Sequence, residues 1–320
     1  MSAPTAPTLG VDLGGTHLRV GLVDASGGVL AARKVATPTS EADALVAAIA
    51  DTAAAVRADA GAASVTAIGV GIAALVDVDG VARDAPNVPA LVGVPLRSAV
   101  AAATGLAVTV DNDANVAALG ELVHGSAQGA RHALVITLGT GIGGGIVIDG
   151  RIYRGAHGFA AEIGHWQCDP TGPMCACGIR GHWEALASGT ALGRLGRDAA
   201  ARGEAPSVLE HARGSVDAVD GFAVSAALAD AAPDAEALLD RFADQVAIGC
   251  AGLLAMFDPE RIVISGGLVV LGDALLDRVR ERVPAHLESA AHRPEIPIVA
   301  GVLGDDAGLI GAAVLARGSV

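Results

Sequence analysis

Near the start of the chain Leu18, Val20 and Leu22 alternate with His17, Arg19 and Gly21, the period of a half-buried strand. That strand closes a strand–turn–strand unit from Leu9 to Asp24, L-G-V-D-L-G-G-T-H-L-R-V-G-L-V-D. Ser26-Gly27-Gly28 turns into a third strand, Val29 to Val35. An Ala-rich helix is expected at about Glu41 to Ala60 with Ser40 as its N-cap. Thr66 to Leu75 reads as a buried strand and Leu96 to Thr104 as a helix. V-D-N-D-A-N (Val110 to Asn115) follows a strand and opens the helix A-N-V-A-A-L-G-E-L. Helical patterns return over Trp183 to Ala201, Glu236 to Phe257 and Asp273 to Ser289, with a short buried strand at Arg261 to Gly267, R-I-V-I-S-G-G. Residues 202 to 234 are less regular and are expected to be loop-rich.

The second half repeats the opening. Val135 to Asp149 reads V-I-T-L-G-T-G-I-G-G-G-I-V-I-D. Setting Thr137 on Asp12 aligns Leu13 with Leu138, Gly14 with Gly139 and Asp24 with Asp149. Two copies of such a unit point to duplicated lobes facing each other over a cleft; coincidence between two glycine-rich hairpins is the competing reading. The lobes are expected at 1–111, joined by about 304–320, and at 112–303. No Pro-rich hinge or low-complexity linker marks the boundary.

Composition narrows the classes. A chain of 320 residues can bury roughly 75% of its unfolded surface and folds without staples. It is 52% hydrophobic but only 2% aromatic, so its core must be built from Ala, Val, Leu and Ile. The 43 glycines gather near strand ends, as tight turns approached by a ligand require. A net charge of −14 repels nucleic acid and anionic membrane surfaces, so neither is an expected partner. Met1 to Thr8 lack the basic and apolar regions of a signal peptide. The most apolar stretch, Val246 to Phe257, is about half the ~20 residues of a spanning helix. A cytoplasmic protein is expected, in which Cys168, Cys175, Cys177 and Cys250 are ligands or buried thiols rather than disulfides.

Four motifs carry chemistry. In D-L-G-G-T (Asp12 to Thr16) the glycines let backbone N–H groups approach a polyphosphate, Thr16 can donate to an oxygen, and Asp12 suits a phosphate-bound Mg²⁺ through water; an ordinary β-turn is the bland alternative. G-T-G-I-G-G-G (Gly139 to Gly145) is a second such loop. It lacks the Walker-A lysine, and a strand rather than a helix follows it, unlike a Rossmann fingerprint. Two such loops imply a bound nucleotide. V-D-N-D-A-N holds two acids and two amides, denser than helix capping needs. Asp113 could accept a hydroxyl proton during attack on phosphorus while Asn112 orients the substrate. Between Glu162 and Glu184, His165, Cys175, Cys177 and His182 offer nitrogen and sulfur donors for tetrahedral Zn²⁺, with Cys168 a rival fourth ligand and Glu162 and Glu184 free for hydroxyl recognition. Structural histidines and buried cysteines are the alternative.

In this order, D-L-G-G-T, D-N-D-A-N, G-T-G-I-G-G-G, E-I-G-H and C-x-C-G-x-x-G-x-x-E resemble the ROK family (repressor, open reading frame, kinase), and within it bacterial glucokinases. A-P-N (Ala85 to Asn87), I-S-G-G (Ile264 to Gly267) and G-D-D-A-G-L-I-G-A (Gly304 to Ala312) extend the likeness over Leu9 to Ala313. The resemblance implies an α/β actin-like ATPase (ribonuclease H-like) fold of two lobes around a cleft, transferring the ATP γ-phosphoryl group to a sugar hydroxyl. It makes Asp113 the catalytic base and Asn87, Asn112, Asp113, Glu162, His165 and Glu184 the sugar-binding set. Asp12, Gly14, Gly15, Thr16, Thr140 and Gly141 become phosphate-loop positions, with Gly266 and Gly267 near the adenosine. The family's zinc is held by one histidine and three cysteines. Here His182 replaces the third cysteine, so a Cys2His2 site is expected from His165, Cys175, Cys177 and His182. A second departure is G-I-A-A-L-V-D (Gly71 to Asp77), where many relatives carry a Pro-Gly pair.

The resemblance puts glucose first among substrates, with N-acetylmannosamine, other N-acetylhexosamines and fructose as alternatives, and ATP before polyphosphate as donor. Homodimers or homotetramers are usual in the family. Its repressors carry a helix-turn-helix ahead of the kinase-like region, for which the few residues before Asp12 leave no expected room. A non-catalytic sugar sensor is the competing class.

Overall fold

The computed structural model describes residues 6–62 and 64–318. The segment read as lacking a leader, Met1 to Thr8, lies for its first five residues outside them. The strands are β1 Thr8–Leu13, β2 His17–Val23, β3 Val29–Ala36, β4 Ala67–Ile72, β5 Leu75–Val76, β6 Ala82–Asp84, β7 Ala107–Asn112, β8 Ala133–Leu138, β9 Ile142–Ile148, β10 Arg151–Ile152, β11 Arg261–Ser265 and β12 Ile298–Ala300. The α-helices are α1 Ala42–Asp59, α2 Leu96–Thr104, α3 Asp113–His124, α4 Trp183–Ala187, α5 Gly189–Ala201, α6 Pro206–His211, α7 Gly221–Ala229, α8 Pro233–Phe257, α9 Gly272–His286 and α10 Ala307–Arg317.

β1 and β2 form the expected antiparallel hairpin, with Asp12 opposite Arg19, and β3 adds antiparallel to β2. β4 lies parallel to β1 and β7 parallel to β4, giving the order β3-β2-β1-β4-β7. The second sheet runs β10-β9-β8-β11-β12, so β8 and β9 take the places of β1 and β2. The repeat read from the glycine hairpins therefore extends to whole sheets.

By packing, the described residues fall into two compact units. One runs to Val135 and includes Gly144–Ala161 and the segment from Val302; the other is Ile136–Gly143 with Glu162–Gly301. In the first unit Leu9, Val11, Ile68 and Val70 share a core with Leu45, Ile49 and Val56 of α1 and Leu96 of α2. α10 packs against β1, β4 and α3. That close approach needs glycine: a Cβ on Gly10 would lie 2.0 Å from the Leu309 carbonyl oxygen, and one on Gly69 1.9 Å from that of Ala312. Some glycines read as ligand turns are thus helix-packing positions. In the second unit α8 packs against α9 and α4, and buries Phe242 close to fully. No helix of the described residues is long and apolar enough to cross a membrane.

Three sequence expectations differ. The N-cap of α1 is Glu41 rather than Ser40, and it makes no side-chain cap bond. The single helix expected over Trp183 to Ala201 breaks at Ser188, whose extended backbone ends α4 while its Oγ accepts from Ala191 N (3.2 Å) to start α5. Residues 202 to 234 are not loop-rich, because they hold α6, α7 and the start of α8. Ala-rich α7 carries little amphipathic stripe, but Asp220 caps it by accepting from Ala223 N (2.9 Å).

Candidate active site

At the head of α3 a strand hands directly to a helix. Asn112 is its N-cap, and its Oδ1 accepts from Ala114 N (2.9 Å) and Asn115 N (3.1 Å). Its Nδ2 donates to the Ala74 carbonyl (3.2 Å), so this side chain ties the helix start to the chain leaving β4. Asp113 is the first helical residue, half-buried, with Oδ1 accepting from Ala114 N (2.9 Å). Behind it Asp111 is 6% exposed. Its Oδ1 accepts from Asn112 N (2.8 Å) and Asn115 Nδ2 (3.2 Å), and its Oδ2 from Arg154 Nε (2.6 Å). Sequence reasoning gave Asp111 and Arg154 no role. The period-2 pattern puts Asp111 on the opposite strand face from Asn112, but its partner lies 43 positions away.

In the first glycine hairpin Gly14 N donates to the His17 carbonyl (3.0 Å), and the Gly14 carbonyl accepts from Thr37 Oγ1 (2.8 Å). A Cβ on Gly15 would lie 2.8 Å from that of Asn87, so the structure brings the expected phosphate loop and one expected sugar residue together. Burial, the largest influence, raises the Asp12 carboxyl above its usual 3.8; Arg19 and Lys34 oppose this and Asp305 adds to it. Arg19 is held by Asp306 Oδ1 and the Asp305 carbonyl, both at 2.5 Å. This gives G-D-D-A-G a positioning role that its residues alone did not disclose.

In the second unit Gly139 N donates to the Gly141 carbonyl (2.9 Å), and Thr190 Oγ1 to the Thr140 carbonyl (2.7 Å). Glu184 Oε2 accepts from Ile142 N (3.0 Å) and lies where a Cβ on Gly141 would be 2.3 Å away, so a side chain there would displace this carboxylate. Gly266, at φ +87°, sits against the Leu138 carbonyl, bringing I-S-G-G to the end of β8 beside this turn.

His165, Cys175, Cys177 and His182 place one ligand atom each within 4.8 Å of one another. His165 Nδ1 and His182 Nδ1 are 3.2 Å apart, Cys177 Sγ is 3.2 Å from His182 Nδ1, and Cys175 Sγ is 3.9 Å from His165 Nδ1. Tetrahedral zinc with ordinary bond lengths separates such donors by about 3.3–3.8 Å, so the three pairs lie close to the spacing that ion needs. Cys168 is not in the cluster: its Sγ contacts the Trp166 carbonyl at 3.6 Å, and burial pushes its thiol up to about 12. Burial likewise pushes Cys175 up to about 11, and its Sγ meets Glu184 Oε1 at 3.4 Å. Glu162 is an exposed residue, but protein packed around its carboxyl raises it, Glu184 adding and His165 opposing. Glu184 thereby touches both the histidine–cysteine cluster and the glycine turn.

Comparison with known proteins fixes the class. A crystal structure of a ROK family glucokinase from Streptomyces griseus in complex with glucose and AMPPNP superposes with a TM-score of 0.86, at 39% identity over 98% of this chain and 100% of that one. The fold is the α/β actin-like ATPase fold, to which the paired sheets and glycine turns belong. Residues 8–319 match the ROK family, and the chain belongs to it. The Streptomyces coelicolor glucokinase is 39% identical over 313 residues, 97% of each chain. An N-acetylmannosamine kinase from Salmonella heidelberg is 32% identical over 317 residues, 97% of this chain and 98% of that one.

Proposed function

We propose that this chain, a hexokinase-type sugar kinase, has glucose to glucose 6-phosphate as its main ATP-dependent reaction, with Asp113 as general base. The observation that carries the reading is the head of α3, where a half-buried carboxylate is fixed by a capped helix start. As the sugar hydroxyl oxygen bonds to the γ-phosphorus, Asp113 takes its proton, and the bond from that phosphorus to the bridging oxygen breaks to leave ADP. Positioning and electrostatics supply most of the acceleration in such transfers. Asp111 and Arg154 hold the frame that aims Asp113. Backbone N–H groups of Gly15, Thr16, Thr140 and Gly141 meet the phosphates, with Gly14 closing the turn through its bond to the His17 carbonyl and Gly266 and Gly267 toward the adenosine.

Asp12 fits a hydrated Mg²⁺, since a desolvated carboxylate gains from a nearby cation. That ion offsets phosphate charge when bound. Asn87, Asn112, Glu162, His165 and Glu184 recognise sugar hydroxyls. His165 turns Nδ1 to the cluster, which leaves Nε2 for a hydroxyl. His165, Cys175, Cys177 and His182 would hold a structural zinc; four protein ligands leave no open position for chemistry. A zinc so held would brace the loop carrying His165 and Glu184.

A panel of glucose, N-acetylmannosamine and fructose crossed with ATP and polyphosphate, read as kcat/KM, tests the substrate. Glucose with ATP is expected to rank first. A first rank for N-acetylmannosamine, favoured by the 32% identical relative, would replace glucose. Sugar binding without ADP release from any pair would make the chain a sugar sensor.

A further inference from the structure

The first unit holds a cavity of about 320 Å³ lined by none of the residues assigned to sugar or nucleotide. Val76, Val78, Leu119 and Val314 give it an apolar wall, and Arg97 and Arg154 a cationic one. Its acids are already engaged. Asp77 pairs with Arg83 at 2.6 Å and accepts from Val81 N (2.9 Å), and Asp111 pairs with Arg154 at 2.6 Å.

Arg97 is different. Among the described residues it has no ion-pair partner, and its guanidinium donates only to the Val78 carbonyl, at 3.3 Å. Its Nε is buried without a partner. That Nε is packed beside Gly80, away from the cavity lining, but a guanidinium with one long hydrogen bond keeps terminal N–H donors that an anion in the cavity would satisfy.

We propose that this cavity is a second ligand site, taking a small organic anion whose carboxylate or phosphate pairs with Arg97 and Arg154 and whose apolar body lies on the valine and leucine wall. Occupancy reaches the chemistry through one shared donor. Arg154 Nε is bonded to Asp111, which in turn fixes Asn112 N and the Asn115 side chain at the start of α3. An anion drawing on Arg154 competes with Asp111, loosens the helix start that aims Asp113, and lowers kcat. This last step rests on Asp113 being the base; the site itself does not.

Calorimetric titration of the whole chain with benzoate, phenyl phosphate and neutral benzyl alcohol tests the site. The wild type should bind one or both anions and not the alcohol, and which anion binds identifies the head group. Arg97→Met should weaken that binding about tenfold or more with Tm and basal kcat unchanged. Should Arg97→Met fail to fold, Leu315→Trp, which fills the cavity from its lining, must abolish binding instead. No binding by the wild type up to about 10 mM, or equal binding by variant and wild type, overturns the site. A bound anion that leaves kcat unchanged overturns the coupling to α3. Anion binding by a chain without kinase activity contradicts the proposed function and not the site.

Discussion

In its proposed magnesium role Asp12 would serve function against stability. Burial raises its carboxyl above 3.8, with Arg19 and Lys34 only partly offsetting this. A raised carboxyl contributes stability that is fully present below pH 3.8 and is lost as pH rises through the folded-state value. At neutral pH the ionised group is therefore a net burden on the fold. Asp12→Asn should raise Tm at pH 7 by about 2 °C, lose the corresponding decline with pH, and still be impaired in turnover. An equal or lower Tm at pH 7, measured by calorimetry, would contradict this. Asp12 and Asp113 stood out as candidates because an acid before two glycines, or at a strand–helix junction, is conspicuous in one dimension. Asp111–Arg154 and Arg19–Asp306 were not, since each joins residues far apart in the chain and neither spacing carries a period.

At the scale of elements, the hairpins were legible because period-2 alternation and a glycine turn are both local. The α4–α5 break was not. Apolar residues continue through Ser188, and only the tertiary path shows its backbone to be extended. Ser188 is 1% exposed, and its Oγ is the cap of α5. Ser188→Ala should cost about 1 kcal/mol in denaturant unfolding, and no measurable change would refute its capping role. Trp183 sets a stricter constraint from α4, as a Cβ on Gly249 would lie 1.9 Å from its indole. Gly249→Ala should cost about 1–3 kcal/mol, by overpacking a fully buried ring. The helices of residues 202 to 234 escaped because Ala-rich segments present little hydrophobic stripe; Asp220 and the prolines opening α6 and α8 were the available signals.

For the whole molecule, the repeat seen in two glycine turns proved to be a repeat of sheet order, which neither hairpin alone could disclose. Family membership was legible because the motifs recur in order along nearly the full chain. The fate of Cys168 was not, since sequence offers three cysteines within ten positions and only folding separates their thiols. Metal analysis of the purified protein should find about one zinc per chain, retained by Cys168→Ser and lost with a lowered Tm in His182→Ala. Zinc that leaves with Cys168 instead would refute the His165, Cys175, Cys177 and His182 set.

The central claim is phosphoryl transfer to a sugar with Asp113 taking the proton. ADP release with glucose and ATP, measured for the wild type and for Asp113→Asn, tests it most directly. The account predicts turnover in the wild type and a loss of about 10²–10⁴-fold in the variant, with glucose affinity kept within a few-fold. Turnover in the variant close to that of the wild type would contradict it.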